Sequence, residues 1–498
     1  MHSPQHPIHP TRSARRETIH RSAVTRSARR ETIHRSAVTR SARRETIHRS
    51  AVTRSARRET IHRSAVTRSA LRRTALAAVG ALGVAVLVAG CSGGPGPAEP
   101  SAYEKAPADL EASITYAFWD ASQQEAVQAN IDAFNEEYPN IEVNLDVTPW
   151  ETYWTKIQTQ ASSNTLPDLF WLNGPNFQLY ASNGKVEPID GIVEAGDIDP
   201  ANYPEALVDL YQLDDVQYGV PKDFDTIGLW YNRELLEEAG VEEPSADWTW
   251  EDLQEAAQTV SDELGDQGVY GVAAGMDGQT TYYDTIFQAG GEVISEDGTT
   301  SGYDSPEAQA GIQLWADLIA SGASPSMQQL TDTPADQWFT SGKVAMYSGG
   351  SWFRGAVGAS DIEDAVGAAP LPRGEEQATV IHGVANAVAA NSKEKQAAQA
   401  LQVFLASEEA QRQQGDAGSI IPAFTGTQDA FVGSLPGADL QVFLDAVDYA
   451  RPLPVSKNSA AWNALEAELL PEAFSGERPV AEVTAELAEQ MTALLAKE

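Results

Sequence analysis

Four tryptophans and two aspartates are the side chains in this sequence whose positions suggest chemistry. Trp119, Trp171 and Trp352 follow SITYAF, PDLF and GGS, and Trp462 lies in SAAWNAL. Indole rings stack on the apolar faces of pyranose rings, while carboxylates and amides hydrogen-bond the hydroxyls. A single tryptophan more often belongs to a core, but four of them at predicted strand or helix ends favour a platform for a ligand.

The two acids, Asp223 and Asp225, stand two residues apart in YGVPKDFDTIGLWY. On a strand they would share one face, so they would not oppose each other across a sugar bond as the acid pair of a glycosidase must. They would serve better as acceptors for hydroxyl groups. A solvated loop is the competing interpretation.

Nucleophilic and metal chemistry have little support. Seven of the eight histidines precede residue 63, so a Ser-His-Asp triad would have to use His382, and Cys91 is the only cysteine. The sequence contains no G-x-S-x-G, no Walker loop, no H-E-x-x-H and no D-x-[DN]-x-[DN]-G calcium loop. We therefore expect no catalytic residue, no metal and no cofactor.

The first 66 residues are dominated by a basic repeat. TRSARRETIHRSAV occurs without a difference at 11–24, 25–38, 39–52 and 53–66. With only Ile and Val as large apolar residues, the unit cannot bury a core. A basic arm for nucleic acid or membrane is one interpretation. We favour the other, a duplication in the coding DNA translated from a start too far upstream, and expect 1–66 to be disordered or not translated.

Residues 67–90 have the pattern of a lipoprotein signal peptide. Arg68, Arg72 and Arg73 precede the apolar stretch TALAAVGALGVAVLVAG, which ends at Cys91. LVAGC resembles the bacterial lipobox, whose cysteine is acylated, and an ordinary signal peptide with an incidental cysteine is the alternative. The Gly- and Pro-rich residues 91–112 then form a flexible tether. We expect a chain anchored by lipid to the extracellular face of the cell membrane.

The remaining chain is strongly acidic. Residues 91–498 hold 15 Lys and Arg against 67 Asp and Glu, a net charge of −52. Such a surface repels nucleic-acid phosphate, so we expect no nucleic-acid partner. The length exceeds what a single core supports, which predicts two lobes, and we expect a monomer.

Alternating strands and helices predict an α/β fold. The pattern predicts strands at Ser113–Trp119, Ile141–Val147, Asp168–Leu172 and Val380–Ala390, and helices at Ala121–Tyr138 and Trp150–Ser162. This order favours a mostly parallel sheet, with ligand beyond the carboxyl ends of the strands. Tyr218–Tyr231 and Pro370–Pro372 are interpreted as crossings between lobes.

Several segments, in order, resemble family 1 extracellular solute-binding proteins of bacterial ABC importers, which include maltose-binding proteins. They are ITYAFWDASQQEAVQANIDAFNEEYPNIEV, LPDLFWLNGPNFQLYASNGKVEPID, YGVPKDFDTIGLWYNRELLEEAGVEEPSADWTWEDLQEAA, FTSGKVAMYSGGSW and AANSKEKQAAQALQVFLASEEAQ. The resemblance implies an α/β, two-lobe periplasmic-binding-protein-like fold with an interlobe cleft and a multi-strand hinge. It places the first lobe at 113–222 and 373–410, and the second at 223–372 and 411–498.

The resemblance also implies a set of ligand-binding residues: Trp119, Asp120, Trp171, Asn173, Asp225, Tyr282, Trp352, Trp462, His382 and Arg354. For Arg354 and Arg451, a structural ion pair remains an equal alternative. The implied function is capture of a mono- or oligosaccharide between the lobes and its delivery to the transmembrane subunits of an ABC permease, without enzymatic activity. The alternatives are a binder of a polyamine or glycerol phosphate and a secreted glycoside hydrolase.

Overall fold

The structure is a computed structural model that describes residues 96–98 and 102–498. The predictions for the repeat at 1–66, the signal peptide at 67–90 and lipidation of Cys91 lie outside the described residues. The strands are β1 (Ala112–Phe118), β2 (Ile141–Val147), β3 (Leu169–Asn173), β4 (Gln212–Leu213), β5 (Val216–Gln217), β6 (Pro221–Asn232), β7 (Tyr270–Ala273), β8 (Val344–Gly350), β9 (Val366–Pro370), β10 (Thr379–Val388), β11 (Ile421–Pro422) and β12 (Ala450–Pro452).

The α-helices of the described residues alternate with these strands. They are α1 (Gln124–Glu137), α2 (Trp150–Ser163), α3 (Gly174–Ser182), α4 (Asp190–Ala195), α5 (Glu205–Asp209), α6 (Arg233–Ala239), α7 (Trp250–Leu264), α8 (Tyr283–Gln288), α9 (Pro306–Ala320), α10 (Met327–Asp332), α11 (Ala335–Thr340), α12 (Arg354–Gly358), α13 (Lys395–Leu405), α14 (Glu408–Asp416), α15 (Asp429–Val432), α16 (Gln441–Asp445), α17 (Ser459–Phe474) and α18 (Val480–Leu495).

Strands β2, β1 and β3 lie side by side at one end of the main sheet and run parallel. Their bounds confirm the three strands predicted from the alternation of apolar residues. Because β1 and β2 are in register from Ala112 opposite Ile141 to Phe118 opposite Val147, their carboxyl ends meet at one edge. Trp119 and Trp150 follow these two ends, so the topology brings them to the same edge of the sheet.

Strand β6 is twelve residues long and belongs to two halves of the sheet. Its residues 221–226 pair antiparallel with β10, and its residues 227–232 pair antiparallel with β8 and β9. The chain leaves the first lobe, built on β1–β3, along β6 and returns from the second, built on β7 and β8, along β10. The sheet is therefore mixed and not mostly parallel as predicted, because the outgoing and returning strands run in opposite directions.

Each half of the sheet packs against apolar clusters of its own. In the first lobe one face of the sheet buries Phe118 and Phe134, and the other buries Tyr153 and Phe177. A core in the second lobe collects residues of α7–α9, α17 and α18, with Trp315 among them. Fully burying one such side chain contributes about 1.5–3 kcal/mol, so these clusters fix the strand ends that carry the site.

Local capping sets the start of the first helix after β6, which we call the hinge strand because it runs from one half of the sheet to the other. Asn232 ends β6, and its Oδ1 accepts hydrogen bonds from the backbone N–H groups of Glu234 and Leu235. Helix α6 ends at Ala239 and is followed by Gly240, whose φ of 73° suits glycine. Asn232 and Gly240 thus define where this helix begins and ends.

The lobe boundaries predicted from the sequence stay a prediction. Strand β11 pairs with residues 223–224 of β6, on the half of that strand that also pairs with β10. Among the described residues, no helix combines the length and the apolar character needed to cross a membrane.

Candidate functional site

An aromatic group occupies the edge where β1 and β2 end: Trp119, Trp150, Tyr153, Trp154 and Trp171. The ring centroid of Trp119 lies 5.3 Å from that of Trp150 and 5.0 Å from that of Trp171, at interplanar angles of 68° and 86°. Tyr153 and Trp154 are 5.2 and 5.8 Å away. Edge-to-face contacts of this kind hold an aromatic ring in one orientation. Trp119 is thus a fixed, half-buried indole.

Trp171 lies behind Trp119 and not beside it at the surface. It is 1% exposed, and its Nε1 donates to the hydroxyl of Tyr116 at 2.7 Å. That hydroxyl in turn donates to Asn386 Oδ1 at 2.6 Å. In this conformation Trp171 supports the Trp119 ring from within, which differs from the stacking position that the resemblance implied.

Asp120 caps a short helical turn at the same edge, and Asn173 precedes helix α3 without a capping bond from its side chain. Asp120 Oδ1 accepts from the backbone N–H of Ser122 at 2.8 Å, and its Oδ2 accepts from Gln123 Nε2 at 2.9 Å. Asn173 Oδ1 accepts from Asn176 Nδ2 at 2.8 Å. These bonds position both predicted residues beside Trp119 and β3, with the amide nitrogen of Asn173 left over as a donor.

Lys222, which sequence reasoning did not select, is a bulge residue in the hinge strand. Asp223 pairs with Val384 and Pro221 pairs with Ala385, so Lys222 has no partner on β10. A bulge redirects its side chain. Its ammonium forms an ion pair with Asp223, donates to Gln123 Oε1 at 3.1 Å and lies 3.9 Å from the ring centroid of Trp171.

Asp225 lies on the hinge strand and contacts the second lobe through Gln279. Gln279, in the π-helical turn Gly278–Tyr282, donates from Nε2 to Asp225 Oδ1 at 2.7 Å. Burial raises the pKa of Asp225 well above its usual range and the charge of Asp223 adds to the rise, while the Gln279 hydrogen bond opposes it. Asp223 and Asp225 share one face of β6, as their spacing predicted.

His382 is the direct partner of Asp225 on the neighbouring strand β10. It is 4% exposed, and its Nδ1 accepts from the backbone N–H of Gly383 at 2.6 Å. Burial lowers the pKa of His382 to about 3, so its imidazole is neutral at physiological pH. The structure therefore brings His382 next to Asp225, but as an enclosed neutral ring.

Trp352 provides the aromatic surface of the second lobe. It is 39% exposed, and its ring covers Gly350, where an added Cβ would lie 1.8 Å from a ring atom. Gly350 is paired with Ile227, which lies on the same face of β6 as Asp225. Since paired residues of antiparallel strands point to the same face, the Trp352 ring covers the face that carries Asp225.

Arg354 follows Trp352 but its side chain is committed elsewhere. Its Nε donates to Ser434 Oγ at 3.0 Å, and its Nη2 donates to the carbonyl of the same residue. Arg451 likewise pairs with Glu376 at 2.7 Å. Of the two readings left open for these arginines, the structure shows structural contacts for both.

The two lobes approach each other closely beside Trp352. A Cβ added to Gly355 in α12 of the second lobe would lie 3.5 Å from Ser122 Oγ in the first lobe. Ser122 is the residue that Asp120 caps. The small residues Ser122 and Gly355 thus allow the two lobes to lie close together at this point.

Tyr282 lies in the core of the second lobe and not at the surface of the cleft. It is 4% exposed, and its hydroxyl faces Glu466 Oε2 at 3.4 Å, beside the Tyr283 hydroxyl at 2.9 Å. Burial raises the pKa of Glu466 to about 7. The residue of this turn that reaches the hinge strand is Gln279, three positions earlier.

Trp462 is also enclosed. It is 1% exposed, and its Nε1 donates to Ser456 Oγ at 2.9 Å. Trp119, Asp225, His382 and Trp352 therefore gather along the hinge strand and the strand ends. Trp462 and Tyr282 belong instead to the apolar core of the second lobe.

The sequence carries a signal for two further aromatic side chains of this site. Trp150 and Trp154 are four residues apart on a predicted helix, so they share one face of α2, and Pro149 before them marks its start. Gln279 carried no such signal, because its contact depends on a π-helical turn that composition does not predict. Within the described residues, no three His, Cys, Asp or Glu side chains are grouped to hold a metal ion.

The chain belongs to the bacterial extracellular solute-binding proteins, since residues 120–412 match that family. It is 25% identical over 336 residues to the diacetylchitobiose binding protein DasA of Streptomyces coelicolor, covering 65% of this chain and 75% of that protein. A candidate binding protein of Brucella abortus is 27% identical over 277 residues, which cover 55% of this chain and 66% of the relative. The chain thus spans slightly less than two thirds of that relative.

A solved structure shows the same architecture. The GacH receptor of Streptomyces glaucescens, determined unliganded and with acarbose, is 25% identical and superposes with a TM-score of 0.69. The match covers 78% of this chain and 99% of that chain. These comparisons confirm the family and the two-lobed α/β fold predicted from the sequence.

Proposed function

We propose that this chain captures a carbohydrate between its lobes and delivers it to the transmembrane subunits of an ABC permease. The carrying observation is the placement of two indoles, Trp119 and Trp352, at strand ends of different lobes, with Asp225 on the hinge strand. Rings of this kind stack on sugar faces, and a carboxylate orients the hydroxyls. Ligand contacts on both lobes would favour the closed conformation.

The ligands of two similar proteins support a sugar. DasA is a diacetylchitobiose binding protein, and the GacH receptor was solved with acarbose. Diacetylchitobiose and acarbose are both oligosaccharides or close analogues of them. The site offers matching chemistry, namely apolar rings bordered by carboxylate and amide groups.

The proposed role is binding without catalysis. A glycosidase needs two carboxyl groups facing each other across the scissile bond. Here Asp223 is paired with Lys222, and Asp225 shares its face of the strand and is bonded to Gln279. His382 is enclosed and neutral. This arrangement supports a binding site over an acid–base pair.

We further propose that the chain works outside the cell as a lipid-anchored monomer attached through Cys91. The support is the signal-peptide pattern that ends at Cys91. A Cys91→Ala variant expressed in a bacterium with lipoprotein processing should move from the membrane fraction to the soluble fraction. Equal membrane retention of both chains would contradict the anchor.

Thermal-shift screening against a panel of sugars, polyamines and glycerol phosphate tests the ligand class. A solute that binds only the folded chain raises its melting temperature, by linkage of binding to unfolding. We expect shifts with sugars alone. A shift with spermidine or glycerol phosphate and with no sugar would overturn the proposal. If the chain released shorter sugars from an oligosaccharide on incubation, it would be a glycoside hydrolase and not a binding protein.

A further inference from the structure

Two large apolar side chains in the described part of the chain are exposed, and both are tryptophans at strand ends. Trp150 is 50% exposed and Trp352 is 39% exposed. Trp352 already belongs to the candidate site. Trp150 comes three residues after the end of β2, at the edge where ligands of α/β sheets bind.

The Trp150 ring is exposed and yet held in place. Its centroid lies 5.3 Å from that of Trp119 at 68°, and 6.0 Å from that of Trp154 at 88°. Two edge-to-face neighbours restrict its rotation and leave half of its surface in solvent. A rigid aromatic side chain loses little conformational entropy when it binds, which suits it as a contact surface.

The rings form a continuous series from this surface to the hinge strand. Trp150 contacts Trp119, Trp119 contacts Trp171 at 5.0 Å, and Trp171 lies under the ammonium of Lys222 on β6. Of these rings, Trp171 is buried, Trp119 is half-buried and Trp150 is the most exposed. Exposure thus increases with distance along the series from the hinge strand.

We propose that Trp150 forms an outer subsite that stacks on a second sugar ring, so the ligand is an oligosaccharide. This inference rests on the proposed function. The inner sugar ring would lie against Trp119, Asp225 and Trp352, and the chain of the ligand would extend over Trp150. A monosaccharide would leave the Trp150 ring uncovered.

Isothermal titration with linear series of one to five units tests this inference. The probes are malto-, cello-, arabino- and N-acetylchito-oligosaccharides, titrated into the wild-type chain and into Trp150→Ala, Trp150→Phe and Trp338→Phe. Trp338 packs on Tyr270 in the second lobe and serves as the matched tryptophan control. The half-exposed position of Trp150 means that its replacement should leave folding intact, which circular dichroism checks.

In the series that binds, wild-type affinity should rise from one unit to the longer members. Trp150→Ala should weaken the longer ligands about tenfold and leave the monosaccharide within about twofold, whereas Trp150→Phe should retain most of the affinity. Equal losses at every length would mean that Trp150 only supports Trp119, and would overturn the inference. So would a wild-type chain that binds the monosaccharide as tightly as longer ligands. If no series binds the wild-type chain while another solute does, the proposed function itself fails.

Discussion

The amide of Gln279 in the second lobe donates to Asp225 Oδ1 on the hinge strand, with an N–O distance of 2.7 Å. This bond holds one carboxylate oxygen and leaves the other for a ligand hydroxyl. It also joins the second lobe to the strand along which the chain leaves the first lobe.

Replacing Gln279 by leucine should weaken sugar binding by up to about tenfold, since the hydrogen bond that orients the Asp225 carboxyl group is worth about 0.5–1.5 kcal/mol. Without the amide, the pKa of Asp225 should rise further, because Gln279 opposes the effect of burial. Calorimetric titration measures the affinity. Gln279→Glu provides the shape-matched comparison and should bind more weakly still. Unchanged affinity in both variants would contradict this role.

Lys222→Met should destabilise the fold by about 3–5 kcal/mol, because the carboxylate of Asp223 would remain buried without its partner. Lys222 and Asp223 are 1% and 7% exposed. The double variant Lys222→Met/Asp223→Asn should recover most of the loss, since asparagine keeps an acceptor for the Val384 N–H. Urea unfolding measures each free energy.

An exposed ion pair provides the control for that comparison. Arg412 and Glu408 pair on the surface of α14 at 2.7 Å, with half-exposed side chains. Arg412→Met should cost less than about 1 kcal/mol. A Lys222→Met loss no larger than this would show that the buried pair does not stabilise the hinge.

Gly350→Ala should weaken ligand binding because the added methyl would occupy the position of the Trp352 ring, 1.8 Å away. The ring would have to leave the face of β6 that carries Asp225. Trp352→Ala should lose a similar amount, and the double variant should lose no more than either single one, as expected when both act through one ring. Additive losses would refute this shared mechanism.

Glu466→Gln should change how stability depends on pH. Burial raises the pKa of Glu466 from 4.5 to about 7, so the folded chain holds the proton more tightly than the unfolded chain. This contribution to stability is complete below about pH 4.5 and is lost as pH rises to about 7. The difference in unfolding free energy, variant minus wild type, should increase over that window by about 3 kcal/mol.

The unfolding free energy of the Glu466→Gln variant must be compared with that of the wild type, because His382 changes the stability of both chains with pH in the opposite direction. Its pKa falls to about 3 in the folded chain, so stability due to His382 is lost as pH falls from 6.5 towards 3. Since both chains keep His382, its effect cancels in the difference. A flat difference between pH 4.5 and 7 would show that Glu466 does not titrate there.

The strands and helices of the first lobe could be predicted because apolar residues alternate clearly in SITYAF and IEVNLDV. The burial of individual tryptophans could not. Trp171 lies within β3 and Trp352 comes two residues after β8, and a local pattern does not show that the first is 1% and the second 39% exposed. Trp171 donates a hydrogen bond to Tyr116, which is 55 residues away in the sequence, whereas the Trp352 ring covers Gly350, two residues before it. A local sequence pattern encodes neither contact.

The hinge also shows where local sequence reasoning stops. Adjacent residues of a regular strand point to opposite faces, so Lys222 and Asp223 would not be expected to pair. The bulge opposite Val384 and Ala385 changes this direction. The family resemblance implies Tyr282 as a ligand-binding residue. The residue of this turn that contacts the hinge strand is Gln279, three positions before Tyr282.

The small side chains of Ser122 and Gly355 have a consequence for the balance between open and shut forms. A methyl at 355 would meet Ser122 Oγ at 3.5 Å, an ordinary contact, whereas a leucine there would extend into the first lobe. A leucine at this position would keep the two lobes apart without altering any side chain proposed to contact the sugar. Position 355 therefore offers a way to vary the energy of closing separately from the energy of recognition.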